Sequence, residues 1–390
     1  MVAPFQPDPD KVAAIRAALP ATGAGIYLDT ATAGPLPLDG LQAMRELLAY
    51  EERVGRADVD SREAFDERAA EAAAVLATLV GADPDAVALV PGATAGMAWA
   101  ADLPAWRRGQ RIVTTDREHP AVLATLEMLA ARRGIGLVRV PVGGASDEAV
   151  VARFDAAIER RTCLLVVSHV TWDTGTVLPV ARLTALARGV GAWSVIDGAQ
   201  AVGAVAVDVH EVGADVYVFS GYKWLLGPHG VGGLWRSSRA LAAGGPPPVT
   251  LHRPSVAALG RTVGWLEMYV GLGWALERAA GLTASTAGSL AAVPGVEMLT
   301  PDPPGATIVT FRIAGWPAPV ARAALARRVF AICEAVGPLD AIRISVAWFN
   351  TRAELERFVG AVAELAAATP ATLPERPTLV VLPADPGSTP

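Results

Sequence analysis

Residues 195–209 read VIDGAQAVGAVAVDV, and residues 215–235 read DVYVFSGYKWLLGPHGVGGLW. Each stretch opens with a short apolar run: Trp193–Ile196 leads into Asp197-Gly-Ala-Gln200, and Asp215–Phe219 leads into Ser220-Gly-Tyr-Lys223. Neither run alternates apolar with polar residues, as expected of strands covered on both faces. The polar groups gather where the strands end, which is where an open α/β sheet places its ligand.

The same rhythm extends outward. Strands are expected at Ala86–Val90, Arg111–Thr115, Gly136–Val140 and Cys163–Ser168. Helices are expected over residues 61–80, Pro120–Arg133, Asp147–Arg160 and Val180–Val190. Strands alternating with helices of this length predict an α/β fold with a mostly parallel sheet between helices. The run Gly244-Gly-Pro-Pro-Pro248 reads as a domain edge or exposed loop, followed by one long helix over roughly 262–291. Beyond Pro294 the order becomes strand (Ala306–Ile313), helix (Val320–Ala335), strand (Ala341–Ala347) and helix (Thr351–Ala368), a small α+β unit. The expected division is an arm over 1–25, a large domain over 26–285, a small domain over 286–368 and a Pro-rich tail over 369–390. The tail holds too little apolar material to pack.

Composition narrows the functional classes. The 390 residues are 52% hydrophobic and 18% charged, enough apolar material for a large domain and a smaller one. No stretch approaches the ~18 consecutive apolar residues of a membrane span. The opening Met-Val-Ala-Pro-Phe-Gln-Pro-Asp-Pro-Asp10 lacks the basic and apolar regions of a signal peptide, and two cysteines make no disulfide framework. A cytoplasmic location is the expectation. A net charge of −6 without a basic block argues against nucleic-acid binding.

Lys223 and Asp197 carry the chemistry. A lysine just past a strand can form a Schiff base with an aldehyde cofactor. A buried carboxylate 26 residues earlier can hold that cofactor's ring nitrogen protonated. Pyridoxal phosphate needs both, because its protonated ring is the electron sink for a carbanion at the substrate's Cα. Gly92-Ala93-Thr94 lies between a strand and a helix, so backbone N–H groups and the Thr94 hydroxyl can hold a phosphate, with Ser220 as a further donor. His119 follows a strand end and can stack on a ring, and Gln200 can donate to a phenolic oxygen. His169, at another strand end, is read as structural.

Together these segments resemble the class V aminotransferase family of fold type I pyridoxal phosphate enzymes, and within it the cysteine desulfurase and selenocysteine lyase branch. The resemblance runs from Tyr27-Leu-Asp-Thr-Ala31 to Arg343-Ile-Ser-Val-Ala-Trp-Phe-Asn-Thr351. It implies that Lys223 carries the cofactor, Asp197 pairs with the ring nitrogen, and His119 stacks on the ring. It further implies Gln200 at the phenolic oxygen, Ala93, Thr94, Ser220 and Tyr222 around the phosphate, and Arg343 on the substrate carboxylate. A homodimer is implied too, with Thr262 contributing a phosphate contact across the interface, and a sulfur-acceptor protein as a partner of the desulfurase branch. The implied reaction is C–S cleavage of a small α-amino acid. Transamination or epimerisation on the same cofactor is the alternative, and a catalytically silent scaffold a further one.

Three departures bear on that choice. Tyr222 stands where desulfurases have a histidine before the lysine, and Trp172 stands where many relatives have an asparagine. A desulfurase also needs a nucleophilic cysteine on a mobile loop shortly before the clamp arginine. Only Cys333 lies there, inside the apolar run Val329-Phe-Ala-Ile-Cys333, and a buried apolar thiol is inert. Cys163 lies within an expected strand.

Overall fold

The computed structural model describes residues 9–245 and 249–373. Helix α1 (Pro9–Ala17) leads to a two-residue strand β1 (Ile26–Tyr27), then α2 (Leu38–Val54) and α3 (Val59–Leu79). The alternating region follows as β2 (Val87–Val90), α4 (Ala93–Ala100), β3 (Arg111–Thr115), α5 (Pro120–Arg133), β4 (Gly136–Val140), α6 (Asp147–Ala157), β5 (Thr162–Ser168), α7 (Val180–Gly189) and β6 (Trp193–Asp197). A short α8 (Val209–Val212) precedes β7 (Val216–Ser220) and β8 (Gly232–Arg236). Then come α9 (Ser238–Ala243), α10 (Arg253–Trp265) and α11 (Leu272–Ala291). The C-terminal part holds β9 (Val296–Met298), β10 (Ile308–Ile313), α12 (Ala318–Val329), β11 (Ala331–Ile332), β12 (Glu334–Val336), β13 (Ala341–Ser345) and α13 (Arg352–Ala366).

Seven strands form one sheet in the order β2-β8-β7-β6-β5-β3-β4. Pairings among β3, β4, β5, β6 and β7 are parallel, and β8 runs antiparallel to both its neighbours. The unbroken apolar run of β5 follows from its burial on both faces. Leu164 and Val166 pack with Met97 of α4 and Leu126 of α5, whereas Leu165 and Val167 pack with Phe154 of α6 and Leu183 of α7. Each such side chain removed from water stabilises the fold by about 1.5–3 kcal/mol. Helix α5 shows why the boundaries were legible. His119 caps its N-terminus, Pro120 opens it, and Gly134 closes it at φ +64°.

A second sheet, β12-β13-β10-β9, is antiparallel and carries α12 and α13 on one side. Two expectations here are corrected. The single helix over 262–291 is two helices, α10 and α11, separated by a π-helical turn at Leu266–Val270 and by Gly271 at φ +79°. The helix expected to reach Ala335 stops at Val329, because Phe330 turns into the left-handed region at φ +54°. Its carbonyl then accepts from Ile26 N–H at 3.0 Å, and β11 pairs with β1 from the other end of the chain. Helix α2 and strand β8 stood outside the expected elements. The expected divide at 285 falls inside α11, whose Leu282 and Leu290 pack in the small-domain core. The proline run at 246–248, and the tail from 374 onward, lie outside the described residues.

Candidate functional site

The C-terminal ends of the parallel strands open onto a cavity of about 420 Å3, closed on its far side by β12 and β13 of the small domain. Lys223 follows β7 and is 9% exposed. Asp197, the last residue of β6, is 7% exposed and accepts from Ala199 N–H at 2.9 Å. Lys223 Nζ has no hydrogen-bond partner among the described residues. Burial pushes its ammonium down to about 8, while the Asp197 charge pulls the other way. Burial likewise raises the Asp197 carboxyl, opposed by Lys223 and by the Ala199 N–H. A buried amine and a buried carboxylate thus face one cavity, each charged form destabilised until a further group compensates it.

His119 lines the same cavity as the cap of α5, its Nδ1 accepting from Ala121 N–H at 3.2 Å. Burial first, then the positive charges of Lys223 and Arg343, lower it to about 4, so the ring is neutral near pH 7. Trp172 meets it edge-on with centroids 5.5 Å apart. Gln200 is held at both ends of its amide: Trp224 Nε1–H donates to Oε1 at 2.9 Å, and Nε2 donates to the Ala31 carbonyl at 2.9 Å. One Nε2 proton remains for the cavity that Gln200 lines.

At the opposite wall, Ser220 Oγ accepts from Ala93 N–H at 3.4 Å, which joins the end of β7 to the start of α4. Gly92 caps that helix at φ +156°, a backbone that side chains rarely adopt, and Ala93 and Thr94 line the cavity. The first-turn N–H groups of α4 favour an anion there. Tyr222 stacks its ring on His229 at 4.2 Å and completes this wall. The donor set suits a phosphorylated aromatic aldehyde with a basic ring nitrogen: an amine, a carboxylate, a neutral ring and a helix N-terminus converge on one space.

Arg343 reaches the cavity from β13 and is 3% exposed. Its Nη1 donates to the Trp172 carbonyl at 2.9 Å, and its Nη2 donates to Thr32 Oγ1 at 2.7 Å and to Asp29 Oδ1 at 3.1 Å. These bonds engage three of its five N–H groups: Nε is buried with no hydrogen-bond partner among the described residues, and one Nη1 proton remains on the side chain that lines the cavity. Burial raises the Asp29 carboxyl, while Arg343 and the Thr32 hydroxyl hold it down.

Thr262 was expected to act across a subunit interface and not in this chain's own cavity. It is fully buried on α10 where that helix crosses α2 at Gly40, and its hydroxyl has no hydrogen-bond partner among the described residues. His169 stays out of the cavity, in keeping with a structural role. Its Nδ1 shares a hydrogen bond with the Tyr217 hydroxyl at 2.8 Å, and burial lowers it to about 4. Cys333 packs with Ile342 and Ile344 in the small-domain core, and burial pushes its thiol up to about 12. Cys163 lies at the start of β5, away from the cavity.

Sequence reasoning missed several neighbours. Glu118 is 2% exposed. Its carboxylate takes the Thr115 hydroxyl at 2.8 Å, the Ser168 N–H at 3.0 Å and the Ser168 hydroxyl at 2.6 Å. Burial raises it to about 7, with Asp197 adding a further push. Asp29 was visible only as part of a matching segment and Thr32 not at all, because their partner lies more than 300 residues away. Glu334 gave no signal beyond its place beside Cys333.

Among solved structures, a C-DES mutant with glycine covalently linked to its PLP cofactor shares the fold. Its TM-score is 0.83 at 23% identity, covering 92% of this chain and 99% of that one. A probable cysteine desulfurase of Mycolicibacterium paratuberculosis is 31% identical over 294 residues, 66% of this chain and 42% of that protein. The chain spans about half the length of the desulfurase relatives it matches. Isopenicillin N epimerase of Streptomyces clavuligerus is 30% identical over 383 residues, 86% of this chain and 94% of that protein. The model for aminotransferase class-V matches residues 26–249, which hold Lys223, Asp197 and the helix-capping turn at Gly92. The chain belongs to the class V aminotransferase family, and its cofactor is pyridoxal 5'-phosphate.

Proposed function

We propose that the chain cleaves a C–S bond in a small α-amino acid by direct β-elimination, working as a homodimer. Lys223 would hold the cofactor aldehyde, Asp197 the ring nitrogen and His119 a ring face. Gln200 would donate to the phenolic oxygen, and Thr94, Ser220, Tyr222 and the Ala93 turn would surround the phosphate. Arg343 would bind the substrate carboxylate through its remaining Nη1 proton, with Asp29 and Thr32 fixing the guanidinium plane. When bound, the cofactor supplies the electron sink for the pair left at Cα.

The chain's own residues do the rest. With its amine free, Lys223 would be the general base, and burial, which brings it down to about 8, suits it to neutral pH. It takes the Cα proton, the electron pair moves to break Cβ–S, and sulfur leaves with that pair as a thiolate. The three-carbon remainder, once released and hydrolysed by water, would give pyruvate and ammonia. The observation that carries this reading is the wall facing Lys223, where β12 offers Glu334 and keeps the Cys333 thiol in the core. A persulfide route needs that thiol exposed and ionised.

Epimerisation at Cα is the second reading, favoured by the match to isopenicillin N epimerase along 94% of its length. Products separate the two when L-cysteine, S-alkyl-L-cysteines and L-alanine are tested side by side. Pyruvate with free thiol supports elimination. Alanine with protein-bound persulfide restores a desulfurase, and D-amino acid without sulfur release makes the chain an epimerase.

A further inference from the structure

Strands β12 and β13 pair antiparallel, with Glu334 opposite Arg343. Directly opposed residues point to the same face of a sheet, so the carboxylate and the guanidinium share the face that lines the cavity. Cys333 and Ile342, one position away on each chain, turn to the other face and pack in the small-domain core. Arg343 does not take Glu334 as its ion-pair partner. It reaches Asp29, Thr32 and the Trp172 carbonyl instead. Among the described residues Glu334 accepts only from the adjacent Ala335 N–H, on Oε1 at 3.1 Å, so its second oxygen has no hydrogen-bond partner there while the residue lines the cavity.

The charge at this end is therefore uneven. Asp29 already neutralises Arg343, and Glu334 adds a negative charge beyond the clamp. A substrate carboxylate can use the Nη1 proton of Arg343 that the Trp172 carbonyl leaves over. The side chain extending from Cα toward β12 then meets a carboxylate with spare acceptor capacity. An anionic side chain is repelled there, a neutral one leaves Glu334 unpaired, and a cationic one forms a charge-assisted hydrogen bond.

We propose that Glu334 is a specificity-determining residue that selects substrates with a positively charged side-chain terminus, in the C–S cleavage reading S-aminoalkyl cysteines whose leaving thiol carries an ammonium group. The reaction class rests on the preceding section, whereas the preference for a cation rests on Glu334 alone.

The test compares S-(2-aminoethyl)-L-cysteine, S-propyl-L-cysteine and S-carboxymethyl-L-cysteine as substrates of the holoenzyme. Wild type is expected to favour the aminoethyl over the propyl compound in kcat/KM by about tenfold, mostly through KM, and to use the carboxymethyl compound least. In Glu334→Gln and Glu334→Ala the preference is expected to shrink to within about twofold, with the carboxymethyl compound gaining. Calorimetric binding of L-lysine against L-norleucine to the same proteins reads the cation preference without any C–S bond being cleaved. Lysine preferred in wild type and not in the variants sustains the role of Glu334, even where no thiol is released and the elimination reading fails. Wild type that treats aminoethyl and propyl, or lysine and norleucine, alike overturns the proposal. So do folded variants that keep the full preference.

Discussion

Lys223 concentrates the physics of a single residue. An ordinary lysine titrates at 10.5, and burial beside Arg343 brings this one to about 8 even though Asp197 pulls it upward. The neutral amine attacks an aldehyde, so capture of the cofactor by cofactor-free protein should accelerate about tenfold per pH unit below 8 and level off above it. Stopped-flow absorbance on mixing checks this; a rate still climbing at pH 9.5 would mean an unperturbed lysine. Lys223→Ala should bind the cofactor without linking to it. His119, lowered to about 4, stays neutral throughout this range and adds no inflection.

Two elements carry consequences of their own. On the strand pair β12–β13, alternation decides which side chain meets the substrate, and it presents Glu334 while burying Cys333. Cys333→Ala is therefore expected to keep most C–S cleavage activity, losing at most about 1–2 kcal/mol of stability for one small buried group. Loss of sulfur release with an unchanged cofactor spectrum would reinstate the thiol as nucleophile. The turn between β3 and α5 buries Glu118 against Ser168 and Thr115, and burial raises its carboxyl from 4.5 to about 7. The folded state then holds a proton that the unfolded chain has released between those values. Stability contributed by this group is complete below pH 4.5 and is lost as pH rises through 7. The difference in urea unfolding free energy between wild type and Glu118→Gln should shift against wild type from pH 5 to pH 8. A difference independent of pH would mean that Glu118 is ionised in the fold.

At the scale of the molecule, the open groove between α2, α3 and α10 mixes charged residues (Asp39, Glu46, Arg68, Glu71, Arg261) with apolar ones, and the apolar ones gather at its end near Trp265. Met268 on the π-helical turn is 87% exposed, and Tyr269 beside it stacks on Trp265. Exposed apolar surface of this kind marks an interaction site, and the proposed homodimer would cover it. Light scattering of the cofactor-loaded protein should give twice the chain mass of 40.3 kDa. Met268→Lys should weaken the association, since it would bury an unpaired charge. A single-chain mass at micromolar concentration, with full activity, would sink the dimer. Among the described residues no helix is long and apolar enough to cross a membrane.

The sequence by itself determined the alternating β and α elements, because period and turn chemistry are local. The apolar run of β5, the Pro120 and Gly134 that bound α5, and the glycine before α4 all announce themselves within a few residues. It also brought out Lys223, Asp197, His119, Gln200, Ser220 and Arg343, each recognisable from its neighbours or from a matching segment, and the structure gathers all six around one cavity. Tertiary structure alone decided where α12 ends, since Phe330 is drawn out of the helix by pairing with Ile26 some 300 residues earlier. It alone set Asp29 and Thr32 on Arg343, buried Glu118 under Ser168, and sealed Thr262 between helices. It also turned Glu334 rather than Cys333 toward the cavity. Which of two adjacent side chains faces a ligand depends on the register between strands, and register is a property of the pair, not of either strand.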